Sequence, residues 1–411
     1  MYYNISILDV YVKRKQNITI HGSTGTIGKN TLSVIAKSGN KFKVYALTAR
    51  RNINVLYSQI KNFRPKYAVV FDQASAKTLS MKCKKNRLST SILSGEDNLI
   101  RMSSEKSVDY VLSGISGAAA LKPTYAAILA GKKVLLANKE SLIMSGNLML
   151  KAAEKSGSVI IPVDSEHNAL FQILFSSISK ETNINKIDKS VNSITLTASG
   201  GPFLNYTQSR LRKVTPLQAT KHPTWKMGQK ISVDSATMMN KGLEVIEASI
   251  LYGINLEKIN ILIHPQSIVH ALVTFEDGST ISHMSDHDMK VPISYALSWP
   301  DRFSYSSNKK IASLISELNF RPVNKGEYPC LDLCITALKI GKNAPTILNA
   351  ANEIAVDHFL EGSIKLTDIA AIIKHILKIS KYATLKNIDD VIKCDKLTRK
   401  ITTEFIEAKW K

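Results

Sequence analysis

Short apolar runs alternate with amphipathic stretches through the first third of the chain. NITIHG, FKVYALTA, YAVVF, VDYVLSG and KKVLLANKE read as strands between residues 17 and 140. TLSVIAKSG and INVLYSQIKNF, which lie among them, repeat their apolar positions at helical spacing. This alternation predicts βαβ units and a parallel sheet. Two more strand-like runs follow, GSVIIPVDSEH at 157–167 and VNSITLTASGG at 191–201. The next stretch, PFLNYTQSRLRKVTPLQATKHPTWKMG, is polar and has little strand character. Strands resume in INILIHPQSIVHALVTFEDGSTISHM, with EDGS as a hairpin turn. DRFSYSSNKK at 301–310 reads as a connector, and from about residue 328 the pattern is helical to the end. No internal repeat or low-complexity tract interrupts it.

Length and composition narrow the class. A chain of 411 residues has room for two or three domains. With 44% hydrophobic and 21% charged residues it is globular. No apolar run approaches the roughly 18 residues of a membrane span, so no membrane partner is expected. In MYYNISILDVYVKRKQ the basic cluster follows the apolar part, which is the reverse of a signal peptide. Residues 1–16 are therefore expected to be an N-terminal extension. Cys83, Cys330, Cys334 and Cys394 form no CxxC pair, which favours a reducing compartment and argues against structural zinc. The net charge of +22 raises nucleic acid as a partner. However, the lysines are scattered, aromatics are 7%, and no nucleic-acid-binding motif is present. The same positive field suits phosphorylated small molecules, and no nucleic-acid partner is expected.

Four motifs carry chemistry. GSTGTIG at 22–28 follows a strand and opens a helix, so its glycines permit a tight turn and close approach of a pyrophosphate. The spacing is GxxGxxG instead of the dinucleotide fingerprint GxGxxG, so alone the signal is moderate. The following strand ends in Arg50 and Arg51 where an NAD site would present an acid. Basic groups there suit the extra phosphate of NADP. ANKES places Asn138, Lys139 and Glu140 just beyond a strand, where open α/β sheets bind ligands. In VDSEHN, Asp164 and Glu166 are two apart and point the same way on extended backbone. His167, adjacent, points elsewhere and reads as structural.

The densest stretch is ISVDSATMMNKGLEVIEA at 231–248. On a helix, Asn240 and Glu244 lie one turn apart on one face with Lys241 beside them. A solvated helix face is the plain alternative. With Asp164 and Glu166, Glu244 would complete an all-oxygen, three-carboxylate site suited to Mg2+ or Mn2+. Gly200 and Gly201 read as a hinge and Pro223 as a rigid turn. Trp225 is a large apolar lid element that would exclude water on closure.

Taken together, GSTGTIG, LLANKES, PVDSEHNA, LTASGGPF, HPTWKMGQKISVDSATMMNKGLE, LIHPQSIVHALV and LNAANEIAV closely resemble the 1-deoxy-D-xylulose 5-phosphate reductoisomerase family. The matches run in order from about residue 17 to the C-terminus. The resemblance implies an α/β chain with five segments. These are an extension (1–16), a Rossmann-like NADPH domain (17–163), a catalytic and dimerisation domain (164–300), a linker (301–327) and a helical domain (328–411). It implies Asp164, Glu166 and Glu244 as metal ligands. It implies substrate contacts from Lys139, Ser165, Glu166, Ser199, His222, Trp225, Ser235, Asn240, Lys241 and Glu244, with the phosphate held mainly by Ser199, Ser235, Asn240 and Lys241. Lys139 and His222 join the three carboxylates as the residues expected to act in catalysis. NADPH contacts are implied for Thr24, Gly25, Thr26, Ile27, Arg50, Arg51, Asn52, Asn138, Glu140, Gly228 and Met289.

The implied reaction is metal-dependent isomerisation, by retro-aldol/aldol steps or a ketol shift, followed by hydride reduction to 2-C-methyl-D-erythritol 4-phosphate. A homodimer in a bacterial cytoplasm is also implied. Two residues depart from the family pattern. His21 stands where an apolar residue usually precedes the glycine loop, and Arg50 stands where many relatives have glycine. Two other functions would fit parts of the chain, a related NADP oxidoreductase acting on a different sugar phosphate and a basic nucleic-acid binder.

Overall fold

A computed structural model describes residues 14–175, 189–225, 227–303 and 317–410. The N-terminal extension up to residue 13 and residues 304–316 of the expected linker lie outside the described residues. The first sheet has seven parallel strands. They are β1 (Gln16–Ile20), β2 (Phe42–Ala49), β3 (Tyr67–Val70), β4 (Ser91–Ser94), β5 (Tyr110–Ser113), β6 (Lys133–Leu136) and β7 (Val159–Pro162), in the order β4-β3-β2-β1-β5-β6-β7. Central strands such as β2 are apolar almost throughout because helices cover both faces of a parallel sheet. β4 gave no strand signal: SILS is short, partly exposed and at the sheet edge.

The strand order reverses between β1 and β5, the switch point at which such sheets bind ligands. The glycine loop lies there. Gly22 has φ +65°, and a Cβ on it would lie 2.4 Å from the Gly114 carbonyl oxygen, so a side chain would push the loop off β5. The loop leads into the helix Thr26–Lys37, whose first turn carries no acid. Its free backbone N–H groups suit an anion.

The second sheet has five strands. β8 (Val191–Ala198) pairs with β9 (Ile259–Ile263) in parallel and with β10 (Val269–Phe275) antiparallel. β10 turns back through Glu276–Ser279 into β11 (Thr280–Met284), with Gly278 at φ +85°. β12 (Arg321–Pro322) adds a short strand beside β9. The helix Ser165–Leu174 packs across β10 and β11. The helix Lys290–Ser298 packs instead against Thr26–Lys37, so Ile293, Tyr295 and Trp299 join the core of the first sheet.

From Pro329 onward the described residues form four helices: Pro329–Ile340, Ala344–Leu360, Asp368–Ile379 and Ile388–Trp410. They enclose a second core with the helix Met239–Tyr252, through Met239, Leu243, Ile246, Cys334, Ile347 and Ile372. Gly242 sits at that contact. A Cβ on it would lie 2.5 Å from Cys334 Sγ, so the helices approach closely because position 242 has no side chain. Among the described residues no helix is long and apolar enough to cross a membrane.

His21, at the end of β1, is 1% exposed. Its Nε2 lies 2.8 Å from Ser103 Oγ, and burial holds its pKa down to about 3. The folded chain therefore binds this proton less readily than the unfolded chain. The stability it contributes is full above the ordinary histidine range and falls as pH drops through that range. His21→Leu leaves Ser103 bonded to the Leu99 carbonyl. Between about pH 7 and 5, urea unfolding should show the parent losing about 2 kcal/mol more stability than His21→Leu. Equal losses in the two proteins would contradict this reading of His21.

Candidate functional site

The two sheets and the C-terminal helices enclose a cavity of about 630 Å3. The helix Met239–Tyr252 supplies its floor. Met238, which precedes it, adopts a left-handed conformation at φ +58° and is 2% exposed. This turn joins the helix Gln229–Ala236 to Met239–Tyr252, and it brings Ser235, Asn240 and Lys241 to the same cavity wall. A non-glycine residue in this region is costly and tends to persist where the surroundings hold it.

Glu244 is fully buried and gathers the charged groups around it. Its Oε1 accepts from Asn240 Nδ2 at 2.6 Å and from Lys139 Nζ at 3.3 Å, and its Oε2 accepts from Lys241 Nζ. Lys139 reaches Asp164 Oδ2 at 2.7 Å, and Lys241 reaches Glu166 Oε1 at 3.2 Å. Three carboxylates thus share two ammonium groups. Asp164 and Glu166 are not on extended backbone as their spacing suggested. Asp164 caps the helix Ser165–Leu174, its side chain accepts from Glu166 N at 3.3 Å, and Glu166 points inward from the first turn. Acids at a helix N-terminus are favoured by its dipole.

Burial and then the Glu166 carboxylate push the Glu244 carboxyl up to about 7, with Asp164 adding to the effect. Burial opposes ionisation of Asp164 too, but Lys139, with His167 and Lys241, outweighs it and holds Asp164 well below the usual carboxylate range. Burial would lower the Lys139 ammonium, yet Asp164 and Glu244 hold it well above its ordinary value. A residue whose protonation is this strained by like charges fits a site built to share a cation. The three carboxylates offer oxygen alone, which matches a hard divalent ion.

His167 belongs to this cluster although its sequence position suggested otherwise. In a helix it turns under the acids, and its ring nitrogen lies with oxygens of Asp164 and Glu244 within one 4.8 Å group. Its Nε2 also lies 3.3 Å from Glu247 Oε2, in a pocket with no exposure to solvent. Burial lowers His167 to about 3 and raises Glu247 well above the usual carboxylate range, so the pair is neutral.

Ser199 Oγ, also on the cavity lining, lies 3.0 Å from His222 Nε2. His222 Nδ1 accepts from the backbone N–H groups of Thr224 (3.2 Å) and Trp225 (3.0 Å). That leaves the ring proton on Nε2, which donates to Ser199. Burial lowers His222 to about 4, which keeps this tautomer neutral. Trp225 meets the His287 ring edge-on at 5.4 Å and lies 6.1 Å from His270, so the loop is docked on histidines at the cavity mouth. Gly201 is no free hinge. A Cβ there would lie 2.7 Å from the Ser235 carbonyl oxygen, so the Ser199 and Ser235 segments are packed together.

The cavity brings together most of the residues singled out in the sequence. Gly25, Thr26, Ile27, Asn138, Lys139, Glu140, Asp164, Ser165, Glu166, Ser199, His222, Trp225, Gly228, Ser235, Asn240, Lys241 and Met289 all line it. Glu244 lies beneath its floor. Thr24, Arg50, Arg51 and Asn52 are not in the lining. Asn52 spends its side-chain oxygen capping the helix Ile53–Phe63, and Arg50 stacks over the exposed ring of Phe71, 5.5 Å from the centroid. Sequence reasoning missed Lys230, which lies inside a motif but between two named residues. It also missed Asp234, Glu353 and Arg399, each of which has a partner distant in the chain, Asn352 for Asp234 and the Glu353–Arg399 pair.

Comparisons with known proteins agree on one family. Family models described as 1-deoxy-D-xylulose 5-phosphate reductoisomerase, and as C-terminal domains of that enzyme, match residues 18–146, 160–252 and 284–401. The chain is 45% identical to the 1-deoxy-D-xylulose 5-phosphate reductoisomerase of Acinetobacter baylyi over 95% of this chain and 98% of that one. It is 45% identical to that of Tolumonas auensis over 92% and 96%. Among solved structures it resembles a DOX-P reductoisomerase in complex with NADPH, fosmidomycin and magnesium, with TM-score 0.89 and 39% identity over 95% of this chain and 98% of that one. The Zymomonas mobilis enzyme in complex with NADPH gives TM-score 0.87 and 38% identity over 96% and 100%. The chain belongs to the 1-deoxy-D-xylulose 5-phosphate reductoisomerase family.

Proposed function

We propose a division of labour in this cavity for the reaction of the family. The chain is an NADPH-dependent oxidoreductase that converts 1-deoxy-D-xylulose 5-phosphate to 2-C-methyl-D-erythritol 4-phosphate, a step toward isoprenoid precursors, and it requires a divalent metal. The observation that carries the division is the shared cavity: the glycine loop, Asp164, Glu166 and the Ser199–Ser235–Asn240–Lys241 group all open onto one space, with Glu244 beneath its floor bonded to Asn240.

Asp164, Glu166 and Glu244 would hold the metal, Mg2+ or Mn2+. When bound, the metal polarises the ketone and NADPH supplies the hydride. The phosphate would sit against Ser199, Ser235, Asn240 and Lys241. Lys241 is a flexible cation within reach of both the acids and this pocket, so it is suited to balance either charge. Lys139 and Ser165 lie beside the acids and would hold the oxygens at the reacting end. Binding the remote phosphate fixes that end relative to the hydride donor. His222 keeps Ser199 oriented and anchors the loop bearing Trp225, which closes the mouth against water.

Thr24, Gly25, Thr26 and Ile27 would meet the pyrophosphate, and Asn138, Glu140, Gly228 and Met289 the rest of the cofactor. Arg50 and Arg51, with Asn52, are suited to the adenosine end, outside the main cavity. The division into domains at 163/164, 300/301 and 327/328 is part of the same proposal. So is a homodimer: β11 is an edge strand with Ile281 50% and Met284 39% exposed, a surface another copy could cover. Bacterial relatives and four free cysteines, three of them buried, support a cytoplasmic location.

The reaction is tested by NADPH absorbance with 1-deoxy-D-xylulose 5-phosphate as substrate. Rapid loss with Mg2+ and none with EDTA is expected; loss that ignores EDTA would exclude the metal role. Lys241→Ala tests the phosphate role. It should raise the KM for the sugar phosphate about tenfold or more and leave the KM for NADPH nearly unchanged. An unchanged sugar-phosphate KM would make Lys241 a partner of the acids alone.

A further inference from the structure

The cofactor side of the cavity is tied to the C-terminal helices by a ladder of charged and amide side chains, most of which the reaction as described does not use. Its centre is Lys230, in the first turn of the helix Gln229–Ala236, two residues after Gly228 at the end of the Trp225 loop. Lys230 Nζ donates to Glu140 Oε1 at 2.8 Å and lies 2.8 Å from Asp234 Oδ2. Glu140 Oε2 accepts from Asn138 Nδ2 at 2.9 Å, so both oxygens of this carboxylate are held. The other oxygen of Asp234 accepts from Asn352 Nδ2 at 2.9 Å, on the helix Ala344–Leu360. The next residue, Glu353, accepts from Arg399 at 2.5 Å, on the C-terminal helix Ile388–Trp410. Arg399 is also paired with Asp395 at 2.8 Å.

An exposed lysine–glutamate pair would contribute little. This one is different. Asp234 is 1% exposed and Glu140 8%, so removing their shared cation would leave carboxylates in a poorly solvated place. Such a pair is therefore kept closed, and it has a direction. Asn138, the cap of the helix Lys139–Ser145, fixes Glu140 from one side, and Lys230 fixes it from the root of the loop that covers the cavity. Anything that moves that root moves the lysine, and the lysine carries the carboxylate. The Asp234–Asn352 bond then holds the root against the C-terminal helices.

We propose that Lys230 is a positioning residue that links the root of the Trp225 loop to Glu140, so that covering the cavity and gripping the cofactor are one event. This rests on the reading that Glu140 contacts NADPH. It differs from a packing role because it predicts an effect on one ligand and not the other.

The test uses the full-length enzyme with Lys230→Met, Lys230→Arg, Glu140→Gln and the Lys230→Met/Glu140→Gln double variant. NADPH binding is followed by nucleotide fluorescence, and both KM values and kcat by absorbance. Lys230→Met should raise the NADPH Kd and KM about tenfold or more while the sugar-phosphate KM stays within about twofold. Lys230→Arg should recover most of the loss, since it keeps the charge. The double variant should bind NADPH about as well as either single, because the two groups act as one unit. A Lys230→Met enzyme that binds NADPH normally while Glu140→Gln does not would overturn the link alone. Normal NADPH binding by Glu140→Gln would overturn the reading beneath it. Both KM values rising in parallel, with no recovery in Lys230→Arg, would reduce Lys230 to a structural residue and also overturn the proposal.

Discussion

Three carboxylates that share two ammonium groups in a buried space constrain the rest of this structure. Asp164, Glu166 and Glu244 would repel one another if left alone, and burial sharpens the repulsion. Lys139 and Lys241 offset it, each bridging two of the three acids. The architecture is arranged to bring these five groups together. β6 leads to Lys139 three residues past its end, β7 leads to Asp164 two residues past its end, and the helix Met239–Tyr252 delivers Lys241 and Glu244 from below. The left-handed turn at Met238 and the missing side chain at Gly242 let that helix sit where it does, between the second sheet and the C-terminal helices.

Function follows from how such a cluster exchanges charge. A hard cation among three oxygens and a phosphate near Lys241 would each replace an interaction the protein already makes internally. The cost of assembling the charged site is met during folding, so less reorganisation remains for the moment of reaction. The His167–Glu247 pair and the His222–Ser199 pair add polar groups without adding charge. The C-terminal helices carry none of the three acids, yet through Asn352, Glu353 and Arg399 they brace the wall that carries Glu140 and Lys230.

Much of this was legible in the sequence because its signals are local. Strand–helix alternation revealed the parallel sheet, and the spacing of Asn240, Lys241 and Glu244 revealed a shared helix face. The glycine loop and the basic end of β2 were visible as a strand–turn–helix pattern. What escaped was set by tertiary context. β4 is short and half-exposed, so it lacks the apolar run that marks a buried strand. The strand before Asp164 to His167 suggests extended backbone there. The chain instead enters a helix at Ser165, which turns Glu166 inward by a different route and brings His167 under the acids. Lys230, Asp234, Glu353 and Arg399 look like ordinary surface charges in sequence. Their partners lie from four to more than a hundred residues away, and only folding pairs them.

The central claim is that the buried acids form one metal site organised around Glu244. It is tested most directly by measuring Mn2+ affinity, from the electron paramagnetic resonance of free Mn2+, in the parent and in Glu244→Gln, which keeps the shape and removes the charge. The parent should bind one Mn2+ per chain. Glu244→Gln should bind it about a hundredfold more weakly, and NADPH affinity should not change. Equal Mn2+ affinity in the two proteins would contradict the account and move the metal away from this cluster.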